Sequence, residues 1–393
     1  MANDLPNASR SGYIPTLDGW RAIAVLGVVA FHAPLLRIGI FSDAWLHDYG
    51  FLGVDLFFAI SGLLICSRLL DEENIHQNIS LKAFYIRRFC RILPPAFLYL
   101  AALGILGLAH IVRVDLASWL CSILFVNNYR FAHLHTIYYF GHLQDPELGL
   151  YTNHFWSLAV EEHFYLLLPG ILYFFPKRRV RILSILILFF LALSIVVRAH
   201  PSWMIALGGN AAYARTELRI NALLFPALLA ILLRREPVRA FCTKWATPLF
   251  ILLVFGFALI AALRLGIVPA DWLVLPFALP FLVAGTALRP ASHVSRLLEL
   301  APLRWMGRIS YSVYLWQQLF FIGSNVPYRA ARPLGFLQVA PWNLLALVLV
   351  ASASYFLIEK PFIRLGHRLA PPATPGHRDL DAGKRPNMVA DQV

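Results

Sequence analysis

The sequence predicts an all-α polytopic membrane protein with about ten transmembrane helices and one re-entrant or interfacial segment. Of its 393 residues, 59% are hydrophobic and only 14% are charged, and the mean hydropathy is +0.65. Apolar runs close to the roughly 20 residues that a bilayer-spanning helix needs recur along the whole length. A soluble protein of this size needs more charge to cover its surface, so the soluble classes are excluded.

The predicted spans follow from the length of the apolar runs. In chain order they are 17–36, 50–70, 92–112, 154–175, 180–198, 217–233, 246–264, 271–289, 310–324 and 341–358. The run LASWLCSILFVN at 116–127 is too short to cross the bilayer unaided. We therefore expect this segment to be re-entrant or interfacial.

Lys and Arg set the orientation of the spans. With ten spans and both termini in the cytoplasm, the inside loops hold 20 of these residues and the outside loops at most nine, as the positive-inside rule requires. If 116–127 crossed, the KRRVR cluster at 177–181 would lie outside. The sequence thus predicts a multi-pass cell-membrane protein with a cytoplasmic segment 1–16, a transmembrane domain 17–368 and a disordered, Pro-rich cytoplasmic tail 369–393. We expect no cleaved signal peptide, because residues 1–16 are polar and the first apolar run is long enough to remain as a span.

The net charge of +13 does not indicate nucleic acid, because the basic residues lie in short clusters between apolar runs. The lipid bilayer is the expected partner of the apolar surface. The external region 128–153 is rich in His and Tyr, which is typical of a functional loop. Its histidines lack the tight spacing of metal ligands, so no metal site is expected. The four cysteines also lack such spacing and are expected to be unpaired.

The first span carries two polar residues, Arg21 and His32, that cost free energy to place in the hydrocarbon core of a bilayer. They are eleven residues apart, which is almost three helical turns or about 16 Å along the axis. Both side chains therefore point along one face of the helix, Arg21 near the cytoplasmic end and His32 near the outer end. Polar residues at membrane depth are functional candidates by default.

Other spans bring carboxylates to the depth of His32. Asp55 lies about one turn below the outer surface, and Glu161 and Glu162 lie about two turns below it. An imidazole beside carboxylates is suited to proton chemistry, with His32 as the base and Glu161 as its orienting partner. The alternative is that these residues form buried ion pairs that only hold helices together, or that Asp55 acts as a helix cap.

A second cluster lies on the cytoplasmic side, where FYIRRFCRILPP places Arg87, Arg88 and Arg91 near the level of Arg21. Arg88 and Arg91 are three residues apart and share a helix face. Several guanidinium groups together suit an anionic cosubstrate that carries phosphates. The alternative is that these arginines only fix the orientation of the spans in the membrane.

Six motifs in order resemble the acyltransferase-3 family of membrane O-acyltransferases, from about Tyr13 to Arg368. The motifs are LDGWRAIAVLGVVAFH, GFLGVDLFFAISGLLI, FYIRRFCRILP, WSLAVEEHFYLLLP, ISYSVYLW and IEKPFIRL. The stretch TELRINALLFPALLA also resembles a family segment.

The resemblance implies transfer of an acyl group, with acetyl as the expected group, from cytoplasmic acyl-CoA to a hydroxyl of a saccharide, glycolipid or cell-envelope polysaccharide. No resident cofactor is expected, because acyl-CoA is a cosubstrate. The resemblance also implies that His32 and Glu161 are the catalytic residues. The substrate-binding candidates within the motifs are Asp18, Arg21, Asp55, Arg88, Arg91, Trp156, Arg219 and Tyr314.

Two alternatives stay open at this point. Ten helices with buried charges and an arginine gate would also suit a transporter that exports an anionic small molecule. Within the acyltransferase hypothesis, His32 could act as a general base or carry the acyl group covalently.

Overall fold

The computed structural model describes residues 14–32, 52–139, 149–262, 271–321 and 333–371, and within these ranges the regular structure is helical without a strand. Most of the predicted segments 1–16 and 369–393 lies outside the described residues. The prediction of an all-α fold is confirmed for the part of the chain that is described.

The helices are named α1 to α16 in chain order. They are Pro15–His32, Leu52–His76, Leu81–Leu108, Leu116–Ile123, Asn127–Tyr139, Phe155–Phe174, Arg179–Ala199, Pro201–Ala206, Thr216–Arg219, Asn221–Leu232, Glu236–Ala262, Asp271–Leu288, His293–Leu298, Ala301–Phe320, Trp342–Ser354 and Lys360–Leu369. A π-helical turn, Tyr355–Glu359, joins α15 to α16.

Each of the ten predicted spans overlaps a helix in the described part of the chain. Four helical stretches in the described ranges are both long and apolar enough to cross a membrane by themselves: Leu52–His76, Leu81–Leu108, Arg179–Ala199 and Trp342–Leu369. The protein is therefore a helical membrane protein. The total of ten crossings stays a prediction.

Helix α3 begins at Leu81, eleven residues before the predicted span 92–112. The cause is a cap that apolar length does not reveal: the Ser80 hydroxyl accepts a hydrogen bond from the Ala83 amide at 3.2 Å. As a result Arg88 and Arg91 lie two turns inside a helix rather than in a loop at its entrance.

The short segment 116–127 contains only the helix Leu116–Ile123, about 12 Å long at 1.5 Å per residue. Asp115 caps it by accepting from the Ser118 amide at 2.9 Å and pairs with Arg130 at 3.0 Å. Partial burial raises the pKa of this carboxyl, but the bonds from Ser118 and Arg130 outweigh it, so that the pKa lies below its ordinary value. The segment is too short to span, as predicted.

The expected loop after this segment is partly helical, because Asn127–Tyr139 forms α5. Its start is fixed by two buried amides: Asn127 donates to the Thr152 carbonyl at 2.7 Å and Asn128 donates to the Thr216 hydroxyl at 2.9 Å. Such hydrogen bonds to distant residues cannot be recognised in a sequence that lacks apolar periodicity. Residues 140–148 of this region lie outside the described residues.

Helix α1 packs against α14 and α2, and α2 packs against α10. Two glycines make the contacts of α1 close. A Cβ on Gly307 of α14 would lie 1.9 Å from the Asp18 carbonyl oxygen, and one on Gly53 of α2 would lie 2.2 Å from the Ala24 carbonyl oxygen. Small residues at these crossings let the backbones approach, as is common between membrane helices. The polar residues of α1, α2 and α14 are thereby brought around one cavity.

Candidate active site

The cavity between these helices has two adjacent chambers. The arginine chamber, about 340 Å³, is lined by Asp18, Arg21, Arg68, Glu72, Arg87, Arg88, Arg91, Arg308, Glu359 and His367 together with apolar neighbours. The deep chamber, about 100 Å³, is lined among others by Phe57, Phe58, Ser61, Ser157, Glu161, Glu162, Tyr165 and Tyr314. The side chains of Arg21, Ile65, Arg68, Arg88 and Arg91 line both chambers, so the two are adjacent.

Some of the arginines around this cavity already have carboxylate partners. Arg21 pairs with Asp18 at 3.1 Å, and Arg87 pairs with Glu72 at 2.8 Å. In contrast, Arg68, Arg88 and Arg91 form no ion pair within the described ranges. Three guanidinium groups without a carboxylate partner, at the junction of two chambers, form a strong site for a multiply charged anion.

Arg88 is held in place by aromatic rings instead of an acid. Its guanidinium carbon lies 5.0 Å from the centre of the Tyr165 ring and 5.8 Å from that of Phe84. Such cation–π contacts orient the side chain without neutralising its charge. The fork of donors therefore remains able to bind an anion.

One face of α2 forms a wall of both chambers. The lining residues of this helix recur every three or four positions: Val54, Phe57, Phe58, Ser61, Leu64, Ile65 and Arg68. This is the periodicity of one helical stripe, and its last lining residue is an arginine, Arg68. Arg68 was not among the predicted site residues.

Glu161 lies in the deep chamber, where it accepts a hydrogen bond from the Ser61 hydroxyl at 2.7 Å. Glu162 lines the same chamber, and so does Tyr314, which was predicted to bind substrate. The structure thus groups Glu161 with the arginines and with the deep end of the cavity. Its predicted contact with His32 stays a prediction.

His32 lies at the last position of α1, and its Nδ1 is 3.0 Å from the Val28 carbonyl oxygen. A carbonyl can only accept, so Nδ1 carries the proton in this bond and Nε2 is the basic nitrogen of the neutral ring. The backbone of α1 therefore fixes the tautomer that a general base needs. His32 also lies near enough to His154 for the two rings to interact electrostatically.

The family model described as an acyltransferase domain, acyltransferase-3, matches residues 14–359. "O-acetyltransferase OatA" of Staphylococcus aureus (strain NCTC 8325 / PS 47) is 30% identical over 374 residues, which cover 91% of this chain and 58% of that protein. "Putative peptidoglycan O-acetyltransferase YrhL" of Bacillus subtilis (strain 168) is 30% identical over 380 residues, which cover 91% and 56%. No solved structure matches the chain.

The chain belongs to the acyltransferase-3 family. The match covers every candidate site residue, from Asp18 to Tyr314. The chain spans somewhat more than half the length of the curated relatives it matches.

The structure brings together only some of the site residues that were predicted from the sequence. Six line the cavity: Asp18, Arg21, Arg88, Arg91, Glu161 and Tyr314. Trp156 lies behind the wall, where its ring packs edge-on against Phe58 at 6.1 Å and Tyr213 at 5.2 Å. Asp55 and Arg219 pair with each other at 2.6 Å, as in the ion-pair alternative. His32, the tenth candidate, is not among the residues that line the two chambers.

Three further residues, Arg68, Ser61 and His154, were not predicted from the sequence. Ser61 is a small polar residue in an apolar helix, and nothing in its neighbourhood distinguishes it from a packing residue. His154 directly follows the histidine-rich region 128–153, for whose histidines only a metal site was weighed. Arg179, in the basic cluster at 177–181, makes a two-bond ion pair with Glu73, each bond 2.8 Å.

Proposed function

We propose that the protein is a membrane O-acyltransferase that moves an acyl group, with acetyl as the expected group, from cytoplasmic acyl-CoA to a hydroxyl of a saccharide, glycolipid or cell-envelope polysaccharide. The observation that carries the proposal is the pair of adjacent chambers, with Arg68, Arg88 and Arg91 lining both and Tyr314 lining the deep chamber. The names of the relatives, both O-acetyltransferases and one of them for peptidoglycan, support acetyl transfer to an envelope glycan.

The arginine chamber suits the donor. Coenzyme A carries a diphosphate and a further phosphate on the ribose, and each needs charge-assisted donors. Arg68, Arg88 and Arg91 supply up to five N–H groups each and have no competing carboxylate partner within the described ranges. The narrower deep chamber then receives the pantetheine arm and the thioester.

The chemistry of transfer requires a base for the acceptor. In the proposed step the hydroxyl oxygen attacks the thioester carbonyl carbon while Nε2 of His32 takes the hydroxyl proton. The C–S bond then breaks, the carbonyl re-forms, and the proton on His32 passes to the departing thiolate. His32 ends neutral, with Nδ1–H still directed at the Val28 carbonyl.

The proposed orientation places the arginine chamber on the cytoplasmic side and His32 toward the outer side. Its support is the distribution of Lys and Arg and the short length of Leu116–Ile123. Ten crossings of the cell membrane then leave both termini in the cytoplasm. A donor from inside and an acceptor from outside would meet along the α1 face that runs from Arg21 to His32.

The test is acetyl transfer by the purified protein in proteoliposomes, with radiolabelled acetyl-CoA and peptidoglycan glycan strands as the acceptor. We expect release of free CoA in step with acetyl incorporation, and loss of both in His32→Ala. Arg178→Ala, at an exposed basic residue outside the cavity, serves as the control that keeps activity. Tight CoA binding with every acetyl group still on CoA would contradict the proposal and favour the exporter of an anionic compound.

A further inference from the structure

His154 is a buried histidine with no assigned role. It lies directly before α6 and is only 3% exposed, yet neither ring nitrogen has a hydrogen-bond partner in the described structure, although the Leu315 backbone is near. A buried polar group without a partner is costly, and native proteins rarely keep one without a reason. Such a ring indicates a ligand that is bound during function.

The surroundings hold the His154 ring firmly. The rings of Phe155, Tyr99 and Tyr314 lie 4.9, 5.3 and 5.6 Å from it, all close to edge-on. The backbone is fixed as well, because the His154 carbonyl accepts from the Tyr314 hydroxyl at 2.8 Å and from the Ser157 hydroxyl at 3.3 Å. The imidazole is therefore preorganised by packing and does not depend on a polar partner for its position.

The location of His154 connects it to the proposed reaction. Tyr314 and Ser157, which hold its backbone, line the deep end of the cavity. The ring also lies within electrostatic reach of His32. His154 thus packs against residues that line the deep chamber and lies near the proposed base.

We propose that a ring N–H of His154 donates a hydrogen bond to the carbonyl oxygen of the acyl group and stabilises the oxyanion that forms on it. This inference rests on the proposed function. When the acceptor oxygen attacks the carbonyl carbon, the π electron pair moves to that oxygen, and a fixed donor in a dry site is most effective at this moment. His154 keeps its proton throughout, while His32 takes the hydroxyl proton and later returns it to the thiolate.

Two variants separate hydrogen bonding from packing. His154→Phe retains a ring among Tyr99, Phe155 and Tyr314 but has no N–H, whereas His154→Gln retains an N–H donor. Loss of one oxyanion donor typically lowers kcat about 10²–10³-fold. We expect that loss in His154→Phe with the KM for acetyl-CoA nearly unchanged, and at least a tenfold recovery of kcat in His154→Gln. His135→Phe, at an exposed histidine of α5, is the control.

The measurement is CoA release and acetyl incorporation at equal amounts of folded protein, with unfolding midpoints recorded for each variant. A His154→Phe enzyme with wild-type kcat overturns the inference, and so does a His154→Gln enzyme no faster than His154→Phe. Wild-type protein that transfers no acetyl at all would instead defeat the proposed function itself, so the two failures are distinguishable.

Discussion

The carboxylate of Asp55 and the guanidinium of Arg219 form an ion pair at 2.6 Å, with side chains only 1% and 8% exposed. The pair joins the first turn of α2 to the short helix Thr216–Arg219. Arg219 also lies 5.9 Å from the centre of the Phe58 ring, which lines the deep chamber. Both residues were candidates for substrate binding, but their contacts indicate that they fix the wall of the cavity.

The first prediction follows from this pair. Arg219→Ala leaves a buried carboxylate without its guanidinium, which typically costs about 3–5 kcal/mol. We expect a lower unfolding midpoint and less folded protein, with KM unchanged in the molecules that do fold. The double variant Asp55→Asn/Arg219→Gln should recover most of the stability, because no charge is left unpaired. Recovery of folding in the double variant without recovery of activity would assign the pair to substrate binding instead.

The ion pair also shows which features of the structure the sequence could predict and which it could not. Apolar run length predicted helix at all ten segments, because crossing a bilayer demands about 20 apolar residues whatever surrounds them. Depth along each helix placed Asp55 near one end of its span, and the structure has it in the first turn of α2. Depth could not identify Arg219 as the partner, because that contact depends on how distant helices pack. The periodicity of one helix carries no information about which helix packs against it.

The residues of the cavity also include some that the sequence predicted and some that it did not. Spacing predicted that Arg88 and Arg91 share a face, and both line the two chambers. The predicted proximity of Glu161 and His32 relied on depth alone, and depth does not specify the direction in which a side chain points around its helix. Arg68 was missed because one arginine at the end of an apolar span resembles a topology signal.

The second prediction concerns the donor. Arg68→Ala, Arg88→Ala and Arg91→Ala should each remove charge-assisted hydrogen bonds of about 1.5–3 kcal/mol, which corresponds to roughly a 10- to 100-fold higher KM for acetyl-CoA. Steady-state kinetics in proteoliposomes measures the change. Arg178→Ala, at an exposed arginine of the basic loop, should have little effect. Similar losses at all four positions would mean that the arginine cluster is only an anchor.

The third prediction tests the threading of the membrane. A reporter fused after Asn128 should behave as external, because Leu116–Ile123 is too short to cross. A matched fusion after Lys177, in the basic loop before α7, should behave as cytoplasmic. Alkaline phosphatase and green fluorescent protein fusions report the two sides. A cytoplasmic signal after Asn128 would invalidate the ten-span threading and, with it, the depth assigned to Glu161.

The fourth prediction compares two glycines in the middle of helices. A Cβ on Gly307 would lie 1.9 Å from the Asp18 carbonyl oxygen, whereas one on Gly170 would meet nothing within 4 Å. Gly170→Ala should stabilise the protein slightly, since Ala is the better helix former by about 1 kcal/mol. Gly307→Ala must push α14 away from α1, so we expect a lower unfolding midpoint and weaker donor binding through Arg21. Equal midpoints for both variants would contradict the close packing of these helices.

The last prediction is the role of His32. The Val28 carbonyl holds Nδ1–H, so Nε2 is the nitrogen that accepts a proton. General-base assistance typically contributes about 10²–10⁴-fold, and we expect His32→Ala to lose nearly all transfer while still inserting and folding. His135 makes the same bond to the carbonyl of Phe131, also at 3.0 Å. His135→Ala therefore removes an equivalent local contact outside the cavity and should remain active.

Glu161→Gln keeps an oxygen that can accept from Ser61 but removes the charge, so its loss of activity should be smaller than that of His32→Ala.

Label from acetyl-CoA that stays on the wild-type protein without acceptor, and not on His32→Ala, would establish a covalent acyl-histidine in place of a general base. Both routes need the neutral ring with a lone pair on Nε2. Wild-type transfer by His32→Ala, in membranes with normal amounts of protein, would exclude both routes and leave the tautomer set by Val28 without a catalytic purpose.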